Sequence, residues 1–227
     1  MKKFDHVKLS ELDFNLKART NLGRRDYVTP SGKTYPSVTT ILSTLSKDYL
    51  IEWRKRIGDA EADKIVRIAS ARGTKFHDAC EKYLLNEMDT VRMMSLMPDA
   101  KQLLVSVKPE FDKHIGKIYC LEQALYSDRL KVAGRVDCVA EWDGILSIVD
   151  FKNSLKLKRE EDIWNYFSQC TMYACMIGEL TGRPVRQIVV AVGIVDRKEP
   201  QIFVKRVSDY LEDTIKLIRN YHLTNPM

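Results

Sequence analysis

From Val38 to about Asn86 apolar residues recur at intervals of three and four, as in Ile41, Leu42, Leu45, then Leu50, Trp53, Ile57, then Phe76, Ala79, Cys80, Tyr83, Leu84. That period predicts helix, and the breaks near Ser46 and Gly58 predict several short helices instead of one rod. Asp99 to Ile115 also reads as helix, with Pro109 expected to break or restart it. Upstream, Tyr27 to Thr29 and Thr34 to Tyr35 flank Pro30-Ser31-Gly32-Lys33 and read as two short strands around a turn. Downstream the pattern changes to strands at Lys117 to Leu125, Lys131 to Trp142 and Ile145 to Phe151. A helix over Glu160 to Leu180 follows, then strands at Gln187 to Val195 and Gln201 to Val207, and a last helix from Asp209 to about Tyr221. This order predicts an α/β or α+β domain with a mixed central sheet.

Length and composition narrow the class. A chain of 227 residues is expected to form one elaborated domain. Its 44% hydrophobic and 30% charged residues, with only 10 Gly and 7 Pro, exclude wholesale disorder. The longest apolar run, near Ile188 to Val195, falls far short of the roughly 18 to 20 residues of a membrane span, so no membrane association is expected. The opening Met1-Lys2-Lys3-Phe4-Asp5-His6, with Glu11 and Asp13 close behind, reads as a cytoplasmic chain without a targeting peptide. Five cysteines (Cys80, Cys120, Cys138, Cys170, Cys175) form no Cys-x-x-Cys pair and sit in apolar segments, which predicts reduced core thiols. Neither a structural zinc nor an iron–sulfur cluster is expected of that spacing. The net charge of +6 raises the odds of a polyanionic partner.

The chemistry concentrates at a hairpin. Asp143-Gly144 is a two-residue turn signal, and counting outward from Trp142 and Ile145 sets Asp137 opposite Asp150. Like charges directly across a ladder repel, and both carboxylates are embedded in apolar runs where unpaired charge is expensive. A bound divalent cation resolves the conflict, since Mg²⁺ is held through one or two carboxylates plus water and phosphate oxygens. Lys152 shares the face of Asp150, while Val149 and Phe151 point the other way. A plain ion pair between Lys152 and an edge carboxylate is the alternative.

These residues carry a resemblance. Gly134-Arg135-Val136-Asp137, then Asp150-Phe151-Lys152 thirteen residues beyond Asp137, then Gln169 to Tyr173 resemble the G-x-x-D, D-x-K and Q-x-x-x-Y motifs of RecB-type nucleases in the PD-(D/E)XK superfamily. Upstream, Arg72-Gly73-Thr74-Lys75-Phe76-His77 is similar to that family's G-x-x-[FY]-H helix. Tyr35 to Leu42, which contains Ser37 and Thr39, together with Trp53-Arg54-Lys55-Arg56, looks most like the mitochondrial genome maintenance exonuclease group and its bacterial and phage relatives. Val136 stands where the superfamily's nominal motif has proline.

The resemblance implies an α/β (α+β) restriction-endonuclease-like core with a mixed central sheet and an N-terminal helical elaboration. The whole chain would be one nuclease domain, with residues 37–115 the elaboration, 116–207 the catalytic core and 208–227 a C-terminal helix. It further implies a DNA exonuclease dependent on Mg²⁺ or Mn²⁺, acting on single-stranded DNA or DNA ends beside other replication or recombination proteins. Asp137, Asp150 and the Phe151 carbonyl would hold the metal, with His77 as a further ligand. Lys152 would orient or deprotonate the attacking water, or offset charge at phosphorus. Taken without the family, His77 reads first as a hydrogen-bonded core histidine, and Glu122 equally as a further acid or an ordinary strand residue. Gln169 and Tyr173 would orient the lysine or a DNA phosphate. Trp53 and Arg54 would stack on a base and track phosphates, or else form a solvated helical face. An endonuclease or flap and junction processor of the same fold, and a binding module on a decayed nuclease fold, are the alternatives.

Overall fold

The computed structural model describes residues 2–21 and 23–225. The hairpin forms as counted. Strands β6 (Val132–Trp142) and β7 (Ile145–Ser154) pair antiparallel from Trp142↔Ile145 to Cys138↔Val149. Asp143 and Gly144 both adopt positive φ, 52° and 78°, as a two-residue turn matched to strand twist requires. Around this hairpin β5 (Ile115–Ser127) pairs antiparallel with β6, and β8 (Gln187–Ile194) runs parallel to β7. Strands β1 (Asp5–His6) and β9 (Gln201–Arg206) complete a mixed six-stranded sheet in the order β1-β5-β6-β7-β8-β9.

Both faces of the sheet are covered. On one side α6 (Trp164–Thr181) and α7 (Ser208–Thr224) pack over Val136, Val139, Ile148 and Val190. On the other, α3 (Asp59–Leu84) and α5 (Pro98–His114) pack over Cys138, Ala140, Val149 and Phe151. Neighbours along β8 alternate between the two cores, with Val190 in the first and Val189 and Ala191 in the second. That double burial is why β8 reads as an unbroken apolar run. Of the cysteines, Cys80, Cys138 and Cys170 are buried. No helix among the described residues is long and apolar enough to cross a membrane.

Three local expectations need correction. Helix α5 runs through Pro109 instead of breaking there. An interior proline costs about 3 kcal/mol, but Leu103, Leu104, Val107 and Phe111 of the same helix are fully buried, each contributing about 1.5 to 3 kcal/mol. The breaks near Ser46 and Gly58 separate α1 (Val38–Ser43), α2 (Lys47–Ile57) and α3, but α3 is a single 26-residue helix, longer than expected. A second sheet, β2 (Lys17–Asn21), β3 (Arg24–Val28) and β4 (Thr34–Pro36), adds a strand that the pattern does not predict. All five residues of β2 are exposed, so no apolar alternation marks it, and it exists through its ladder with β3. A short helix, α4 (Thr90–Ser95), is likewise set by its cap, where Asp89 accepts the Arg92 amide at 2.7 Å.

Candidate metal centre

The β6·β7 ladder stops one step short of the expected Asp137/Asp150 opposition, at Cys138↔Val149. Opposed carboxylates would repel there, and the strands instead part. The freed Phe151 amide donates to Asp137 Oδ2 at 2.8 Å, while β7 continues along β8 through Asp150↔Val190. Asp150 is only 1% exposed, and neither of its carboxylate oxygens accepts a hydrogen bond. Its close compensating contact is an ion pair, with Lys152 Nζ 2.5 Å from Oδ2. Burial pushes the Asp150 carboxyl up to about 6, with Lys152 opposing and Asp137 reinforcing the shift. For Lys152, burial works against the charge, but Asp150 and Asp137 outweigh it and hold the ammonium above the ordinary lysine range. Asp137 is likewise penalised by burial, yet His77, Lys152 and the Phe151 amide hold it below the ordinary carboxylate range.

Helix α3 delivers the histidine. Phe76, Ala79, Cys80, Tyr83 and Leu84 form its buried stripe, and His77 sits at the edge, where its Nδ1 lies 3.5 Å from Asp137 Oδ1 and 3.9 Å from Glu122 Oε1. Glu122 reaches this point through backbone strain. Its φ of 46° lies in the left-handed region, and it interrupts the β5·β6 ladder between Leu121↔Cys138 and Gln123↔Val136, beside Asp137. That conformation costs a non-glycine residue roughly 1 to 2 kcal/mol, and such strain concentrates where a side chain must be re-aimed. One donor atom each from His77, Glu122 and Asp137 falls within a 4.8 Å cluster. Burial lowers the His77 pKa, but Asp137 and Glu122 overcome it and raise the imidazole to about 10.

This donor set fits a divalent cation. Two anionic carboxylates and an imidazole converge, and a third carboxylate with two unbonded oxygens lies buried beside them. A buried carboxylate whose one close partner is the Lys152 ammonium has coordination to spare, and an oxygen-rich set with one nitrogen is what hard divalent ions accept.

The cluster opens into a cavity of about 520 Å³ whose walls include Ser37, Thr39, Gln169 and Tyr173. Asp150, Phe151 and Lys152 are not among its lining residues, and Lys152 Nζ lies 5.3 Å from the Tyr166 ring centre. Ser37 serves locally as the cap of α1, accepting the Thr40 amide at 3.0 Å. Gly134 explains its own motif position: a Cβ there would stand 2.9 Å from Tyr173 Cε1 and 3.1 Å from Val38 Cγ2, so only glycine lets the tyrosine ring lie on β6. Trp53 and Arg54 lie elsewhere. They belong to α2 and do not line this cavity, and Arg54 is engaged by Asp59 at 2.9 Å and Asp63 at 2.6 Å. Sequence reading passed over Arg25 and Arg135, both in the cavity wall. Arg135 sits inside the Gly-x-x-Asp motif and was open to notice, whereas Arg25 arrives only through the packing of the second sheet.

A mixed sheet covered on both faces, with its acidic residues gathered where the central hairpin parts, fits an α+β nuclease-like core. In sequence, the chain is similar to mitochondrial genome maintenance exonuclease 1. It is 32% identical to the Homo sapiens protein over 135 residues, 54% of this chain and 38% of that one. It is 31% identical to the Xenopus tropicalis protein over 159 residues, 66% of this chain and 44% of that one. The chain thus spans less than half the length of these curated relatives. No family model matches it. Among solved structures, that of SSO0001 aligns over 80% of this chain and 74% of its own at TM-score 0.37 and 13% identity, a loose likeness.

Proposed function

We propose that this chain is a DNA exonuclease that requires Mg²⁺ or Mn²⁺ and prefers single-stranded DNA with a free end. The observation that carries the reading is the buried Asp150, without a hydrogen bond on either oxygen, beside the convergent His77, Glu122 and Asp137. The similarity to proteins named as exonucleases supports it. His77, Glu122, Asp137 and Asp150, with the Phe151 carbonyl, would hold the cation, which when bound supplies a Lewis acid for the scissile phosphate and a more acidic water.

The chain's own groups then have distinct tasks. Lys152, kept charged by Asp150 and Asp137, offsets negative charge growing on the phosphate oxygens. That favours electrostatic stabilisation over proton abstraction as its role. Gln169 and Tyr173 face the cavity while Lys152 touches Tyr166, so they are better placed to orient a phosphate than to orient the lysine.

Preference for a single strand rests on α2 and the first half of α3. Helix α2 has no buried residue, and residues 63–71 of α3 are all exposed. Tyr49, Leu50, Ile51, Ile65 and Ile68 are apolar surface there, and Lys64 and Arg67 add charge. An exposed apolar surface of this kind suits a flexible strand whose bases are open to contact. End-labelled linear and circular single strands incubated with Mg²⁺ or with EDTA test the reading. Loss of the linear strand alone, abolished by EDTA, is expected. Equal cutting of circles would favour the endonuclease alternative, and binding without cutting would favour the binding module.

A further inference from the structure

A second basin of about 730 Å³ adjoins the candidate active cavity, and Arg25 and Thr39 belong to the walls of both. Among the described residues no carboxylate side chain lines it. One wall is a single face of α2: Lys47, Leu50, Ile51 and Arg54, spaced three and four apart. The opposite wall is built by α1 and its end, with the hydroxyls of Thr40, Ser43 and Thr44. Thr40 fastens that wall to β3, accepting the Arg25 amide at 3.2 Å and donating to the Arg25 carbonyl at 2.8 Å.

The charges divide into committed and uncommitted. Arg54 is held by Asp59 and Asp63, and Arg24, also in the wall, by Asp26 at 3.1 Å. Among the described residues neither Arg25 nor Lys47 has an acidic partner within 4.0 Å. Between Lys47 and Arg54, Leu50 and Ile51 are 43% and 42% exposed, so the floor is apolar. The hydroxyls of Thr40, Ser43 and Thr44 already donate to the carbonyls of Arg25, Thr40 and Ile41, so the match rests on two uncommitted cations and an apolar floor, which suit a chain with anionic links and flat, unpaired rings. An acidic peptide would satisfy the cations but leave the apolar floor idle.

We infer that this basin is a second nucleic-acid subsite, which holds the phosphodiester backbone of the single strand next to the segment lying in the active cavity, through Arg25 and Lys47. The inference rests on the nuclease reading. Because Arg25 and Thr39 are shared, one strand can pass from one cavity to the other without leaving contact with the protein.

The test is binding of a labelled single strand of about 16 nucleotides in EDTA, followed by anisotropy between 50 and 200 mM salt. Each lost phosphate contact on a single strand flattens the dependence of log affinity on log salt by about 0.7. The Arg25→Ala/Lys47→Ala variant is therefore expected to lose about 1.4 from the slope, making it about sevenfold less salt-sensitive over that range. The charge-conserving Arg25→Lys/Lys47→Arg variant should keep the wild-type slope. An unchanged slope in the alanine variant overturns the subsite, as does displacement of the strand by polyglutamate as effectively, charge for charge, as by unlabelled DNA. Cleavage by wild type with Mg²⁺ is measured alongside. Cleavage with an unchanged alanine-variant slope sinks the subsite alone, whereas a flattened slope without wild-type cleavage sinks the nuclease reading and leaves the basin.

Discussion

Replacing Asp150 with Asn removes a buried carboxylate that burial and Asp137 disfavour and should stabilise the metal-free protein. Both oxygens of this buried carboxylate lack hydrogen bonds, and burial, reinforced by Asp137 and opposed by Lys152, raises its pKa to about 6. The unfolded value is about 3.9. A pKa raised on folding means that the folded state binds the proton more tightly. Stability is therefore full below pH ~4, falls as pH rises through about 6, and stays reduced above that. At 1.36 kcal/mol per pKa unit the penalty near neutral pH is roughly 2 to 3 kcal/mol. For a chain of this size that corresponds to a melting temperature higher in Asp150→Asn by about 5 to 10 °C. Thermal unfolding of both proteins in EDTA from pH 4 to 8 checks this, with the curves expected to converge at the acid end and separate by pH 7. Added Mg²⁺ or Mn²⁺ should reverse the order, because wild type gains ligand-binding free energy that the variant largely loses. Equal melting temperatures at every pH in EDTA would show that Asp150 is adequately compensated, removing the main structural reason for a cation there.

Lys152→Ala should reduce the rate of linear single-strand cleavage by roughly 10² or more, as loss of a stabilising charge at the reacting phosphate does; a rate within about tenfold of wild type would refute its assigned part. His77→Ala should shift the activity curve against Mg²⁺ concentration to higher metal while leaving strand affinity in EDTA little changed, and an unmoved curve with an unmoved maximum would return His77 to a core role. Gly134→Ala places a methyl 2.9 Å from Tyr173 and 3.1 Å from Val38, so it should cost about 1 to 3 kcal/mol by overpacking. Urea unfolding measures that cost, and a change under 0.5 kcal/mol would mean that the tyrosine ring has room to move.

What the sequence determined by itself is what short-range physics encodes. Apolar periodicity marked the helices from Val38 to Leu84 and the strands from Ile115 to Trp142, because each element had to present a matching face to a common core. The Asp143-Gly144 turn set a register that could be counted to Cys138↔Val149. The same count drew Asp137, Asp150 and Lys152 into one neighbourhood. Tertiary structure decided what happens beyond that last pair. Parting of the strands, capture of the Phe151 amide by Asp137 and the left-handed turn at Glu122 depend on electrostatic repulsion and pairing with β8, to which local pattern is blind. His77 comes to Asp137 from sixty residues away because α3 docks on β7, and Arg25 reaches the cavity because Thr40 ties α1 to a strand that has no apolar signature on its outer neighbour. Pro109 shows the same division: the local rule forbids the residue, and the buried face of α5 overrides it.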